Sequence, residues 1–292
     1  MTHSQSTTGS SRLAICGLFI LSALSVLPAA CGNPRKDPEP QPADGSTTHE
    51  PVAPKLSAKL APRCRQGQFF RVDRTLKVRE QTANDIVVLE GLESSLSEVV
   101  SADEQGRALV LKRKIEKSLT RLGSEGGRID ETKNPLHGCT LELRRDAQGT
   151  ASATVIEGSA DIGKQKFLID GFDAALLPQG EIREGDRWSV PADELDKPGG
   201  LNAMIAAQGF KIEKNELQVR VSELTEKRAT LELDWQIIGS FGQAPAVMAF
   251  SGSLDFDREK ELISRLSIDG GRTGPGGKFT RQITISVTRK RE

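Results

Sequence analysis

The side chains with the most chemistry to offer are four cysteines, Cys16, Cys31, Cys64 and Cys139, in a chain of 292 residues. A thiol can be a nucleophile, a metal ligand, a lipid attachment point or half of a disulfide, and its surroundings decide which. The histidines give the cysteines no help: His3, His49 and His137 are dispersed, and no Ser-His-Asp triad can be assembled around His137. Three other stretches look like catalytic or ligand motifs and miss. Gly123-Ser124-Glu125-Gly126 has the wrong spacing for a nucleophile elbow. Asp255-Phe256-Asp257-Arg258-Glu259 starts like a calcium loop, but Lys260 stands where glycine must turn and Leu266 where a bidentate glutamate must bind. The glycines from Gly270 to Gly277 precede Lys278, but Phe279 follows where a phosphate loop needs Ser or Thr. The second is expected to be a hairpin turn with solvated acids and the third a flexible hairpin loop, and no metal and no cofactor is expected. A hydrolase or other enzyme with an Asp/Glu site, near Asp170 and Asp173, is one reading. It requires a deep pocket that raises a carboxyl pKa.

Position then separates the cysteines. Leu13 to Leu27 is apolar and uncharged, Arg12 precedes it, and Ala29 and Ala30 follow. That layout predicts a secretory signal peptide over residues 1–30. The run is shorter than the roughly 20 apolar residues that span a bilayer. Pro28-Ala29-Ala30-Cys31 resembles the bacterial lipobox. The resemblance implies that Cys31 is lipidated and becomes the mature N-terminus. Pro28 departs from it, because Leu is preferred there and Leu27 lies one place further back. Ordinary cleavage after Ala29 or Ala30 is the alternative, and it leaves three cysteines. Lipidation at Cys31 leaves Cys64 and Cys139 as an even pair. Burying acyl methylenes at about 0.8 kcal/mol each makes a multiply acylated anchor firm.

Cys64 and Cys139 are the expected disulfide, because export places them in an oxidising compartment. The loop they would close is worth about 4–5 kcal/mol at most in the chain-entropy treatment. Two buried thiols are the alternative. Between anchor and body, residues 31–63 carry prolines at 34, 38, 40, 42, 51, 54 and 62 among small and charged residues. Without an apolar period this segment is expected to be a disordered, extended tether.

The elements that must position these residues are strands. Leu76 and Val78, Leu109 and Leu111, Leu141 and Leu143, and Ala151, Ala153 and Val155 alternate with polar partners. Leu217, Val219 and Val221, then Leu231, Leu233, Trp235 and Ile237, continue the period. Phe250, Leu254 and Phe256, Leu262, Leu266 and Ile268, and Ile283, Ile285 and Val287 complete it. Such alternation predicts strands with one wet face, and the turn at Asp103 to Gly106 predicts an antiparallel hairpin from Glu98 to Leu111. Leu201 to Ala207 is expected to be a short helix. Ile115, Leu119 and Leu122 have helical spacing, and the first half of Asp85–Val100 fits either helix or strand. The predicted fold is therefore mainly β: a large curved antiparallel sheet or open barrel with one or two short helices. The body spans residues 64–292, either as one wrapped sheet or as lobes at 64–157 and 180–292. Its concave face needs a cover, and a helix or the loop from Asp170 to Pro178 is the candidate.

Leu176-Leu177-Pro178 followed by Glu181-Ile182-Arg183-Glu184-Gly185-Asp186-Arg187-Trp188 carries a resemblance. With Ser97 to Arg113 and Pro135-Leu136-His137-Gly138, it is similar to a group of uncharacterised bacterial exported proteins. They share a Leu-Pro and then a V-x-x-G-D-x-W element. Ile182 stands where that group more often has Val, and the resemblance implies no activity. Physically, Gly185-Asp186 is expected to turn the chain, and Trp188 to enter the core.

Composition narrows the partners. The chain has 40 basic and 40 acidic side chains, so it lacks the cationic excess that phosphate neutralisation requires. It has no Tyr and two Trp, few platforms for stacking bases. No nucleic acid is expected. The closing Arg289-Lys290-Arg291 is expected to be a solvated strand end. The reading that follows is a non-enzymatic protein of the bacterial cell envelope. It is held by lipid, in the outer membrane facing the periplasm or at the cell surface. Its partners are the membrane, through the anchor, and another envelope component or an apolar ligand in the β domain. A structural subunit of an envelope complex is the third reading.

Overall fold

Burial alternates residue by residue along the strands. From Ala229 to Ile237, the odd-numbered Ala229, Leu231, Leu233, Trp235 and Ile237 are buried, while Glu232, Asp234 and Gln236 between them are exposed. A period of two puts one set on each face of a sheet. The computed structural model describes residues 56–82, 84–145, 151–162, 175–196, 201–206, 208–274 and 279–292. Cys31, the signal segment, most of the tether, and Asp170 and Asp173 lie outside the described residues.

In chain order the strands are β1 (Ser57–Lys59), β2 (Phe69–Gln81), β3 (Ile86–Ala102), β4 (Ala108–Ser124), β5 (Ile129–Lys133), β6 (Thr140–Arg145) and β7 (Ala151–Glu157). Then come β8 (Glu181–Arg183), β9 (Arg187–Val190), helices α1 (Ala192–Leu195) and α2 (Leu201–Ala206), and β10 (Phe210–Leu224). The last four are β11 (Arg228–Phe241), β12 (Ala244–Asp257), β13 (Leu262–Thr273) and β14 (Phe279–Arg291). Twelve strands form one antiparallel sheet ordered β7-β6-β4-β3-β2-β14-β13-β12-β11-β10-β9, with β5 also paired to β4. The sheet is curved and does not close, so the expected mainly β fold is what forms. At its centre β2 lies against β14, with Val78 opposite Ile283 and Leu76 opposite Ile285. One sheet therefore runs through both halves of the body.

Two differences from expectation have local causes. Ile115, Leu119 and Leu122 are in β4, not in a helix. The register against β3 shifts there, Lys117 facing Ser94 while Ile115 faces Ser95. The extra residue is a β-bulge, and it turns an alternating pattern into one that mimics helical spacing. Likewise, a shift in the β12–β13 pairing turns Ile263 into the core in place of Leu262. All of Asp85–Val100 after Asp85 is strand. The helix expected from Leu201 forms as α2.

The inner face carries two apolar clusters. The larger joins β10–β14 to α2 through Leu201 and Ile205, and the smaller holds Val99, Leu111, Ile115, Leu136, Leu141 and Leu143. A chain of hydrogen bonds pins the helices to the sheet. The Trp235 indole N–H donates to Asn215 Oδ1, Asn215 Nδ2 to Asn202 Oδ1, and Asn202 Nδ2 to Asp196 Oδ1, each at 2.6 Å. Between the clusters the inner face turns polar. Arg74 pairs with Glu93 at 2.9 Å, and buried Arg113 donates from Nε to Ser97 Oγ at 3.0 Å. Burial pushes the Arg113 guanidinium down to about 9, with Arg74 adding to the effect, Glu93 opposing it and Arg289 adding again. A guanidinium still holds its proton at neutral pH under such conditions.

Candidate functional site

The site is built around a small clasp. β1 pairs with β8, Ala58 opposite Ile182, and both side chains are buried. The end of the proline-rich stretch is thus a strand, and Leu60 behind it is also buried. What holds β8 in place is the turn that follows it. Gly185 takes a positive φ of 88°. Asp186 Oδ2 accepts the Arg183 N–H at 2.7 Å, and Val221 exchanges backbone hydrogen bonds with Gly185 and Asp186. Trp188 then packs against the large cluster, and its indole N–H donates to the Leu176 carbonyl at 3.2 Å. That bond explains the spacing between Leu-Pro and Trp: the tryptophan fixes the segment that carries Leu177 and Pro178. Core packing, not ligand stacking, is its role here.

The clasp sets residues Leu60 to Cys64 against the ends of β2, β4, β6, β13 and β14. Between them lies a cavity of about 770 Å³. Its apolar wall includes Leu60, Phe70, Leu111, Leu143, Leu177 and Pro178. Ligand cavities typically run about 300–1,000 Å³. The β3–β4 hairpin closes one side. Asp103 Oδ1 accepts the N–H groups of Gln105 and Arg107 at 2.9 and 2.8 Å, and the Cys64 N–H donates to the Gly106 carbonyl at 2.7 Å. The backbone N–H of Arg107, ahead of its side chain, holds the Asp103 carboxyl below its ordinary value.

The wall is strongly cationic, with seven Lys and Arg against two Glu. Rim residues are ion-paired: Arg107 with Asp103 at 2.6 Å, Arg144 with Glu142 at 2.6 Å, and Arg63 with Glu261 at 3.8 Å. Deeper in, Arg289 and Arg291 are half-buried on the inner face of β14, while Lys290 between them is exposed. The expectation of a solvated strand end is therefore corrected for both arginines. The period of Ile283, Ile285 and Val287 continues into Arg289 and Arg291, and that continuation was the available signal. Arg291 Nη2 donates to the Arg63 carbonyl at 3.4 Å, and Arg289 Nη1 to the Ile263 carbonyl at 3.5 Å. Desolvation raises the Cys64 thiol above its ordinary value, against the opposing pull of Arg291 and then Arg289.

A second cavity, of about 320 Å³, lies under Met204 and Gln208 against Arg74, Leu76, Glu93 and Thr120. Gly91 widens it, because a Cβ there would meet nothing closer than Leu76 at 3.9 Å.

The other residues singled out from sequence fall in separate places. Cys139 is buried in the small cluster and Cys64 packs against it half-buried. His137 is half-buried, and its Nδ1 accepts the Ser118 N–H at 3.2 Å. Asp257 caps the β12–β13 turn by accepting the Lys260 N–H at 2.8 Å, and Asp255 accepts from Thr230 Oγ1 at 3.0 Å. Those acids belong to a hairpin. No group of three or more His, Cys, Asp or Glu with metal-binding proximity occurs among the described residues. Comparison with protein-family models and with curated proteins finds no match to this chain.

Proposed function

We propose that this is a lipid-anchored protein of the bacterial cell envelope that binds an apolar, chain-like ligand without transforming it. The cavity beside β14 is the observation that supports the reading. It is about 770 Å³, lies on the inner face of an open sheet, and is walled by leucines, Phe70 and Pro178. Burying alkyl methylenes there is worth about 0.8 kcal/mol each, so a chain of modest length supplies useful affinity. The anchor at Cys31 and the proline-rich tether would hold that cavity near a membrane, where such molecules are found. A bridge between Cys64 and Cys139 belongs to the same proposal. It would join the cavity's cover to the small cluster, and non-reducing peptide mapping of the exported protein tests it.

The binding test uses the full chain in its own membranes. A photoreactive alkyl probe is added and cross-linked peptides are mapped. Saturable labelling concentrated in the segments around Leu60, Leu143 and Leu177 is the expected result. Scattered or non-saturable labelling would overturn the reading. Acyl labelling that is lost in Cys31→Ser tests the anchor separately.

A further inference from the structure

We propose that the ligand of this cavity is an amphiphile with an anionic head, a phosphate or carboxylate, received by Arg291 together with Arg289, while its tail lies along Leu111 and Leu143. The inference rests on the binding reading above and adds a chemical class to it.

Charge distribution is the first ground. The chain carries 40 basic and 40 acidic side chains, so a neutral surface would be the null expectation for any one region. The cavity wall instead holds seven cations and two acids, and counting Asp103 and Glu142, which pair with its rim arginines, still leaves seven against four. Partners are the second ground. Arg63, Arg107 and Arg144 at the rim each have a carboxylate. Among the described residues Arg291 has no carboxylate partner, and its guanidinium donates to a backbone carbonyl at 3.4 Å. A half-buried guanidinium with spare donors is suited to a forked bond with a phosphate or carboxylate. Placement is the third. Arg291 stands opposite Phe70 in the β2–β14 ladder, and Phe70 also packs against the small cluster that contains Leu111 and Leu143. Cationic and apolar walls therefore meet within one cavity, as an amphiphile's two ends require. Arg291 and Arg289 line this cavity together with Cys64, whose thiol feels both charges.

Full-chain protein in its membranes is labelled with photoreactive dodecyl phosphate and, in parallel, with photoreactive dodecanol. Inorganic phosphate serves as a competitor. A charge-assisted contact predicts half-maximal cavity labelling by dodecyl phosphate at about tenfold lower concentration than by dodecanol. Arg291→Gln should remove most of that difference, Arg291→Lys should keep part of it, and Lys290→Gln on the outer face should keep all of it. Pulse proteolysis checks that each variant is folded. Equal labelling by the two probes in the unaltered protein overturns the anionic head and leaves the apolar cavity standing. A preference for dodecyl phosphate that survives Arg291→Gln overturns the assignment to Arg291. Complete displacement of dodecyl phosphate by inorganic phosphate at equal concentration overturns the amphiphile in favour of a free anion. Failure of both probes to label the cavity removes the binding reading itself.

Discussion

Two glycines at opposite ends of β4 make a matched experiment. Gly106 and Gly126 both sit in hairpin turns with φ of 78°. An alanine in that left-handed conformation costs about 1–2 kcal/mol at either position. Their surroundings differ. A Cβ at Gly106 would meet Arg63 Cβ at 2.9 Å and Arg63 Cα at 3.1 Å, whereas nothing lies within 4 Å at Gly126. Backbone must move at Gly106, and the nearest bond at risk is the 2.7 Å one from Cys64 N–H to the Gly106 carbonyl. Losing it adds about 1 kcal/mol. Gly126→Ala should therefore cost about 1–2 kcal/mol, and Gly106→Ala about 2–3 kcal/mol. The added cost falls on the segment that covers the large cavity, so the alkyl probe should bind several-fold more weakly to Gly106→Ala and as before to Gly126→Ala. Pulse proteolysis across a urea series gives the stabilities, provided the denaturant slope is unchanged. Equal losses in the two variants, or undiminished probe labelling in Gly106→Ala, would refute the role assigned to the hairpin in closing the cavity.

Three further outcomes follow from the same geometry. Trp188→Phe keeps a ring in the core but removes the N–H that reaches Leu176, so it should cost about 1 kcal/mol and loosen Leu177 and Pro178, seen as faster proteolysis near residue 177. Glu93→Gln withdraws the carboxylate facing Arg74 and opposing the burial cost of Arg113; a loss on the order of 3 kcal/mol is expected in urea, largely recovered by adding Arg74→Met. A change below about 0.5 kcal/mol for Glu93→Gln would contradict it. Asp103 has a lowered pKa in the folded protein, so its contribution is present above the ordinary carboxylate value near 3.9 and fades as the pH falls through the folded value. The stability gap between the unaltered protein and Asp103→Asn should shrink below about pH 4.

How much of this was legible in the residues depends on whether the information is local. Alternation from Leu217 to Val221, from Leu231 to Ile237 and from Ile283 to Val287 names the buried set of those stretches directly, since each residue's face follows from its neighbours two away. The hairpin at Gly106 is equally local, because Asp103 and the glycine bring their own bonding. Bulges defeat the same logic: the inserted residue near Glu116 makes a strand look helical. The pairing of β2 with β14 is not local at all, and no residue in either strand names the other. The cavity inherits that difficulty, because its walls come from the two ends of the body. Arg289 and Arg291 were within reach of a stricter use of the two-residue period, but their charge argued for solvent. Burial of Ala58 and Leu60 was hidden by the prolines around them, and depends on Ile182 in the clasp.

The central pairing of β2 with β14 also has a kinetic consequence. About 200 residues separate Gln81 from Phe279, which at about 5–20 residues per second is about 10–40 s of synthesis. During that interval β2 is an edge, with a row of N–H and carbonyl groups and no neighbour on one side. The inner face cannot be completed until β14 arrives, and Arg289 and Arg291 lie at the far end of that strand. A chain that cannot complete its central pairing until β14 exists keeps that edge open for as long as the residues between them take to be made. It also depends, meanwhile, on whatever shields that edge from other chains.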